Sequence, residues 1–479
     1  MCAVITVLAR TSLADGTPVA TSETRTQPGD EPIERVPTLP ADHTASEVEG
    51  APLPGAESGR TDRVDPGDSG FRILARGVLF VPKLAVELAG TPVRGSLWAY
   101  DRFQLGERYY QLFYNDARTV GLYPVASYTG GAGVLAGAGF VVRDRSPDGA
   151  SITASAAIGA GYHQRELLQV RSGDRFSDRF ELGLDVGFLR RPQDRFDGIG
   201  NGDLAAPPAV PIDPRTDPTA IETFYRYQET RGELVADSRV VSDLHVIGRG
   251  ALAALETSRA DRGPAIDDTY DPMGLVGFSD GVRHADAELE LRWDSRRRAN
   301  AYEPRDLHAR GSLASVSLAR IDNLGARVDF WHYGAELQHY IRLGTGPRVL
   351  ALRVRGDGVT GTRDEVPFME LPALGGDQFL RGYDFERFRD RVAAFGTAQY
   401  EWDVSANSAA YVFVDAGRVM PSVADATLDH LRVGYGVGLE LHGLDGGFLV
   451  EGSLASSIDG GIMLNATLNP VLDARPRWR

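Results

Sequence analysis

The residues of this chain with the clearest chemical potential are one arginine and two carboxylates. Arg381 lies in the run LGGDQFLRGYDFERFRD, residues 374–390, and three glycines surround it: Gly375, Gly376 and Gly382. Glu401 and Asp415 follow in two stretches with strand-like patterns, and the period-2 alternation places both on the polar face. Because a guanidinium and a carboxylate form bidentate, charge-assisted hydrogen bonds, the spacing predicts a glycine-hinged loop that folds back onto a sheet and is held there by Arg381.

Signals for catalysis, metal binding or nucleotide binding are weak elsewhere in the sequence. The run GIGNG lacks the lysine of a nucleotide-binding loop, and no Gly-x-Ser-x-Gly sequence is present. The nine histidines do not pair at metal-ligand spacing. Asp267, Asp268 and Asp271 permit a calcium site, although solvation alone also explains an acidic loop. The sequence therefore predicts no enzyme activity, no cofactor and no metal.

The composition argues against a nucleic-acid binder and against helical membrane spans. The formal net charge is -15, whereas nucleic-acid-binding faces are basic. No run of eighteen apolar residues occurs, so a transmembrane helix is not expected. Strands that cross a membrane need only about 9–11 residues of alternating polarity, so the composition does not exclude a transmembrane β-barrel.

The ends of the chain differ in composition from its middle. Residues 1–70 are rich in Pro, Gly and charged residues and lack aromatic ones, which predicts a disordered tail. Within it, the apolar residues of 1–14 are interpreted as a signal-peptide remnant, with lipid modification of Cys2 as the alternative. Residues 71–118 show helix-like apolar spacing and predict a helical or irregular segment before the sheet. Residues 471–479 are expected to form a polar C-terminal tail.

The middle of the chain, residues 119–470, shows the alternation of half-buried strands. In residues 285–294, Ala, Leu and Trp alternate with Asp, Glu and Arg, and in residues 431–441 large apolar residues alternate mainly with glycine. Sixteen such segments are predicted, and the longest gaps follow odd-numbered segments. Those gaps are residues 191–219, 255–282, 360–390 and 419–430.

Short turns alternating with long loops are typical of outer-membrane barrels. A soluble β-sandwich is the alternative, and it explains the alternating polarity but not the loop pattern. A lipid-exposed barrel also explains why the polar face carries glycine and charge, because that face lines a wet lumen. The predicted fold class is therefore all-β: a 16-stranded antiparallel transmembrane β-barrel with an inward-folded loop and a short N-terminal helical segment.

The run at residues 374–390 resembles the inward-folded loop of the BamA/TamA-type outer-membrane assembly barrels, also called bacterial surface antigens. The loop of that family has an Arg-Gly-aromatic core, which three residues match: Arg381, Gly382 and Tyr383. AQYEWDV is similar to the family's strand with an inward glutamate, here Glu401, and YVFVDAG to its strand with an inward aspartate, here Asp415. In this family the loop follows the eleventh strand, where the strand count places it here.

Two more stretches are similar to the same family. The run at residues 294–311 looks like the turn after the eighth strand, and FDGIGNG at residues 196–202 is similar to a loop motif of members without periplasmic domains. The resemblance implies a set of loop-plug residues with Asp415 and Glu401 as lumen partners of Arg381. The plug residues are Gly375, Gly376, Arg381, Gly382, Tyr383 and Asp390.

Members of this family insert barrel proteins into the outer membrane or move polypeptides across it. Residues 1–70 do not fit the periplasmic POTRA modules that usually recruit substrates, and the last strand lacks the terminal aromatic residue of an assembly signal. The expected function is assistance in protein insertion or translocation at the bacterial outer membrane. The expected partners are membrane lipids and client polypeptides or a separately encoded periplasmic protein. The alternative is a passive or gated pore for small solutes or lipid.

Overall fold

The computed structural model describes most of residues 105–467. The described residues are 102, 105–129, 133–145, 149–296, 310–325, 327–343, 348–405, 408–442 and 448–467. The predicted tails at 1–70 and 471–479, nearly all of 71–104 and the middle of the predicted turn at 294–311 lie outside these residues. In the described part of the chain, no helix is both long and apolar enough to cross a bilayer.

Sixteen antiparallel strands form one sheet in which neighbours along the chain pair with each other. They are β1 Val120–Thr129, β2 Gly133–Arg143, β3 Ser151–Gly159, β4 Gln164–Arg171, β5 Phe180–Phe196, β6 Thr223–Val241, β7 Leu244–Arg259, β8 Val282–Asp294, β9 Gly311–Asn323, β10 Phe330–Arg342, β11 Arg348–Val359, β14 Val392–Ser405, β15 Ser408–Met420, β16 Arg432–His442, β17 Phe448–Ser457 and β18 Met463–Thr467. Two short strands, β12 Ala373–Leu374 and β13 Phe388–Arg389, pair only with each other. The predicted number of barrel strands is confirmed.

The last strand begins later than the predicted segment 460–470. Gly460 and Gly461 have φ angles of +91° and +86°, in the left-handed region that glycine adopts without a steric penalty. This glycine pair forms the turn after β17, so β18 begins only at Met463. Turn chemistry therefore overrides the alternation at the start of this segment.

The two faces of the sheet have opposite polarity. On β8, Leu289 and Leu291 are 55% and 44% exposed, whereas their neighbours Glu288 and Glu290 are 7% and 3% exposed. The apolar side chains thus point outward and the charged ones inward, as in a barrel whose outer surface meets hydrocarbon. Cα atoms of β1 and β18 lie within 8 Å of each other, which brings the two ends of the sheet together. Among the described residues, no backbone pairing joins these two strands.

A short helix packs against the inner face of the first strands. This helix, α1 Leu105–Phe113, leads into β1 and is the helical segment of the predicted fold. The ring of Tyr114, just after α1, stacks on Tyr123 at 6.1 Å between centroids. A side chain at Gly121 would lie 2.5 Å from the Tyr114 ring. Glycine at this position of β1 is therefore what lets the aromatic cluster approach the wall.

Candidate functional site

The loop between β11 and β14, residues 360–391, connects the eleventh and twelfth barrel strands and is called the arginine loop below. Its outer part is closed by the β12–β13 pair, and its tip contains three glycines with positive φ: Gly375 at +121°, Gly376 at +107° and Gly382 at +99°. A Cβ at Gly375 would lie 2.1 Å from the carbonyl oxygen of Asp384. Both the backbone angle and the available space thus require glycine at this point of the turn.

The tip of the arginine loop is anchored to the barrel wall through Arg381. Its Nε and Nη2 donate to Oδ2 and Oδ1 of Asp415 at 2.8 and 2.9 Å, and its backbone N–H donates to Oδ2 at 2.9 Å. Both side chains are 0% exposed. Two neutral acceptors take the remaining donors, Gln399 Oε1 at 3.0 Å and Thr397 Oγ1 at 3.1 Å. The buried charge pair is therefore supported by hydrogen bonds from both sides, which is the condition for such a pair to stabilise a structure.

Aromatic side chains and a second carboxylate complete the surroundings of Arg381. Its guanidinium carbon lies 3.5 Å from the centroid of the Phe413 ring and 5.7 Å from that of Tyr411, a cation–π arrangement that gains strength when water is excluded. Glu451 Oε1 on β17 lies 3.9 Å from Nη1. The sequence prediction did not include Thr397, Gln399, Phe413 or Glu451. The first three share the inward parity of Glu401 or Asp415, which is the signal that could have found them.

Glu401 is buried on the inner face, at 0% exposure, but it lies farther from the arginine than predicted. Among the described residues, the hydrogen bonds and ion pairs of Arg381 go to other side chains. The register explains this: Thr397 lies opposite Asp415, whereas Glu401 lies opposite Tyr411. Gln399, which binds Arg381 Nη1, is the inward residue before Glu401 on β14, so Glu401 lies about 7 Å farther along the strand than the last side chain of β14 that binds the guanidinium.

Asp390 and Tyr383 hold other parts of the arginine loop. Asp390 receives two hydrogen bonds from Arg363, at 3.0 Å from Nε and 2.6 Å from Nη2, so it ties the two ends of the loop together. The hydroxyl of Tyr383 donates to Asp459 Oδ2 at 2.9 Å, in the turn between β17 and β18. The plug residues predicted from the sequence therefore lie in one loop, but Arg381, Tyr383 and Asp390 each bind a different partner.

The wall beneath the loop tip is made of glycine where the backbone comes closest. A Cβ at Gly434 would lie 1.7 Å from the carbonyl oxygen of Arg381, and one at Gly438 would lie 2.1 Å from the Tyr411 ring. Gly436 lies between them on β16, 2.8 Å from the Phe413 ring by the same measure. These glycines form a smooth strip into which the loop and its aromatic neighbours fit.

The loop tip also contacts β11 through Phe379. The Phe379 ring lies 5.1 Å from the Arg353 guanidinium carbon and 5.7 Å from that of Arg355. Glu336 pairs with both of these arginines. The tip of the arginine loop thus contacts the inner wall from β11 to β17, and it occupies the lumen on this side of the barrel.

The FDGIGNG motif, residues 196–202, begins the long loop after β5 and contacts the arginine loop. Arg389 O accepts from Gly200 N–H at 2.8 Å, and Gly202 O accepts from Arg387 Nη2 at 2.8 Å. Asp197 Oδ2 lies 2.6 Å from Arg195 Nε and 3.7 Å from Arg387 Nε. The motif therefore covers the arginine loop on the long-loop side, which is extracellular in such barrels.

The acidic loop after β7 uses its carboxylates within the protein. Asp267 and Asp268 pair with Arg259 at 3.0 and 2.5 Å, and Asp271 accepts from the N–H of Met273 at 3.0 Å. Among the described residues, no group of three or more acidic, His or Cys residues is arranged to hold a metal ion.

The carboxyl group of Asp197 is expected to make the stability of the docked FDGIGNG motif depend on pH. Burial raises the pKa of its carboxyl to about 6, against the opposing effect of the Arg195 and Arg387 guanidinium groups, and its Oδ1 is buried without a hydrogen bond from the described residues. Because the pKa is raised in the folded state, the protonated form stabilises the docked motif; this contribution is present below about pH 4 and is lost as the pH rises through 6, a difference of roughly 3 kcal/mol. We expect Asp197→Asn, which cannot ionise, to reduce hydrogen exchange of residues 196–203 relative to wild type at pH 7.5 and to match wild type near pH 4, after correction for intrinsic rates. Equal protection of the two proteins at both pH values would contradict this prediction.

These features define a class: a sixteen-stranded outer-membrane barrel with a loop anchored in its lumen by a buried arginine–aspartate pair. The Omp85 superfamily domain matches residues 148–443, more than half of the chain. The chain therefore belongs to the Omp85 superfamily of bacterial outer-membrane proteins, and the resemblance to BamA/TamA-type barrels is confirmed.

Two solved structures are similar to this chain at low sequence identity. BamA from Haemophilus ducreyi lacking POTRA domains 1–3 is 14% identical, with a TM-score of 0.50, and the alignment covers 73% of this chain and 69% of that one. CdiB from Acinetobacter baumannii is 12% identical, with a TM-score of 0.45, over 73% of this chain and 58% of that one. None of the curated proteins compared with the chain matches it.

Proposed function

We propose that this protein assists the insertion of proteins into the bacterial outer membrane or the translocation of polypeptides across it. The observation that carries the proposal is the arginine loop, which is part of the chain yet is held at its tip by hydrogen bonds to side chains of the wall and by a cation–π contact. The short strands of this loop pair only with each other and not with the wall, so undocking of the loop would leave the strand pairing of the barrel intact. Membership of the Omp85 superfamily supports the same conclusion.

The edge between β1 and β18 supports a role in handling polypeptides. Strands at the edge of a sheet present unpaired N–H and C=O groups, and an extended polypeptide can pair with them. The two strands are adjacent but, among the described residues, not hydrogen-bonded to each other. An opening at this edge would expose client segments to lipid. Clients would be polypeptides, delivered directly or by a separately encoded periplasmic partner.

A passive or gated pore for small solutes or lipid is the second candidate. Barrels of sixteen strands are wide enough to leave an aqueous channel, and this size favours the pore. The arginine loop distinguishes the two candidates, because a docked loop predicts low basal conductance of the purified protein in liposomes.

Depletion of the protein followed by quantitative analysis of the outer-membrane proteome tests the proposal. We expect specific membrane or exported proteins to fall in abundance and to recover on expression of the wild type and of Arg226→Ala. Arg226 forms an exposed pair with Asp261 outside the arginine loop, which makes it a matched control. An unchanged proteome together with measurable conductance in liposomes would establish the pore instead.

A further inference from the structure

Arg432, the first residue of β16, lies where several loops meet on the long-loop side of the barrel. Its side chain is only 12% exposed. Nη1 is 2.7 Å from Asp459 Oδ2, in the turn between β17 and β18. Nη2 donates to Asn201 O at 2.5 Å, near the end of the FDGIGNG motif, and is 2.6 Å from Oδ1 of Asp203, the residue just after the motif. One guanidinium therefore connects two segments that are distant in sequence.

The arginine loop meets the same residue. The Phe388 ring, in β13, lies 5.2 Å from the guanidinium carbon of Arg432. Tyr383, two residues after Arg381, donates its hydroxyl proton to Asp459 Oδ2, the oxygen that Arg432 also binds. A continuous path of contacts thus runs from the loop tip through Tyr383 and Asp459 to Arg432.

The motif adds a second connection through Asn201. Its Nδ2 donates to His430 O at 2.8 Å, in the loop that leads into β16. Asn201 and Arg432 hold the motif against this loop from both sides. The motif in turn contacts the arginine loop at Arg387 and Arg389, which closes the ring of contacts.

We propose that Arg432 is a positioning residue for the arginine loop, and that it couples docking of the loop to the order of the FDGIGNG motif and of the β17–β18 hairpin. β18 is the strand adjacent to β1, so the coupling links the lumen loop to the edge of the sheet. This inference rests on the proposed function, in which docking and undocking of the arginine loop serve the handling of polypeptides. The coupling itself is a property of the folded barrel.

The guanidinium group suits this role because of its shape. It is planar and presents donors in two directions at once, whereas an ammonium group is a point charge on a flexible stem. Arg432 uses one side for Asp459 and the other for the motif. Lysine at this position would keep the charge but not serve both partners in fixed geometry.

Hydrogen exchange of the purified, folded barrel in detergent tests the coupling. We expect Arg432→Ala to raise exchange about tenfold in both residues 196–203 and residues 458–467, because it removes charge-assisted hydrogen bonds to both. Tyr383→Phe is expected to raise exchange in residues 458–467 by a smaller factor. Because both act on Asp459, the double variant is expected to resemble Arg432→Ala, whereas independent effects would multiply.

The neighbouring Arg418 supplies the control. Arg418 lies in β15, and its guanidinium donates to Thr427 and Asp429 in the loop that follows this strand, so Arg418→Ala is expected to leave both segments unchanged. In Arg432→Lys, residues 196–203 are expected to exchange as fast as in Arg432→Ala. If Arg432→Ala does not fold, Arg432→Lys replaces it in the comparison with Tyr383→Phe. Multiplicative effects in the double variant, or full protection of the motif with lysine, would overturn the proposal. No client is needed, so a failed depletion experiment would leave this result standing.

Discussion

Replacing Arg381 with alanine is expected to release the tip of the arginine loop from the lumen wall and to impair function. The substitution leaves Asp415 fully buried without its cation, and breaking one side of a buried charge pair costs about 3–5 kcal/mol. Because the loop tip has few other polar anchors, we expect the cost to appear as undocking of the loop before the barrel unfolds. Limited proteolysis of the purified protein is expected to cut within residues 374–390 in the variant but not in wild type.

The controls for Arg381 separate charge from geometry. Arg381→Lys keeps the charge but cannot bind both oxygens of Asp415 together with Gln399 and Thr397, so it is expected to fall between wild type and alanine. Arg226→Ala removes an exposed ion pair, which contributes at most about 1 kcal/mol, and is expected to behave as wild type. Normal protease resistance together with full activity of Arg381→Ala would contradict the docked arrangement as the working state.

Gly434→Ala is expected to displace the arginine loop although it replaces no charged residue. The added Cβ would lie 1.7 Å from the carbonyl oxygen of Arg381, which is backbone and cannot rotate away as a side chain can. Overpacking of this kind costs on the order of 3 kcal/mol, and the loop is the partner that can move. We expect the same cleavage within residues 374–390 as in Arg381→Ala, and raised conductance in liposomes.

Gly232→Ala is the matched control for this substitution. Gly232 lies within β6 of the same sheet, and a Cβ there has no atom within 4 Å, so only a small effect is expected. If Gly434→Ala and Gly232→Ala give the same protease pattern and the same conductance, close contact between β16 and the loop does not determine docking.

Much of the barrel was predictable because its determinants are local. Alternation along each strand depends only on neighbouring residues and a period of two, and it predicted the sixteen strands. Strand ends were predicted less well: two glycines with positive φ replaced the expected start of β18, and β5 continues to Phe196, inside the predicted gap 191–219. The short helix α1 also lies within the predicted helical or irregular segment, residues 71–118.

The candidate site was predictable only in part, because its partners come from strands far apart in sequence. Arg381 and Asp415 are 34 positions apart and meet at 2.8 Å, as expected from an arginine between glycines in the loop and a carboxylate on the inward face. The second carboxylate near Arg381 is Glu451, 3.9 Å away, and not Glu401. The alternation along a strand shows on which face of the sheet a carboxylate lies, but not its position along the barrel axis, which depends on strand register.

The sequence by itself determined the face of every strand, the glycine positions that let the loop turn and approach the wall, and the charge complementarity of Arg381 and Asp415. These follow from side-chain alternation, from positive φ and from the chemistry of a guanidinium with a carboxylate. Only the tertiary structure decided which side chains share a level, because that depends on strand register and on the path of long loops. Register brought Thr397 opposite Asp415, and loop paths brought Tyr383, Asp459 and Arg432 together.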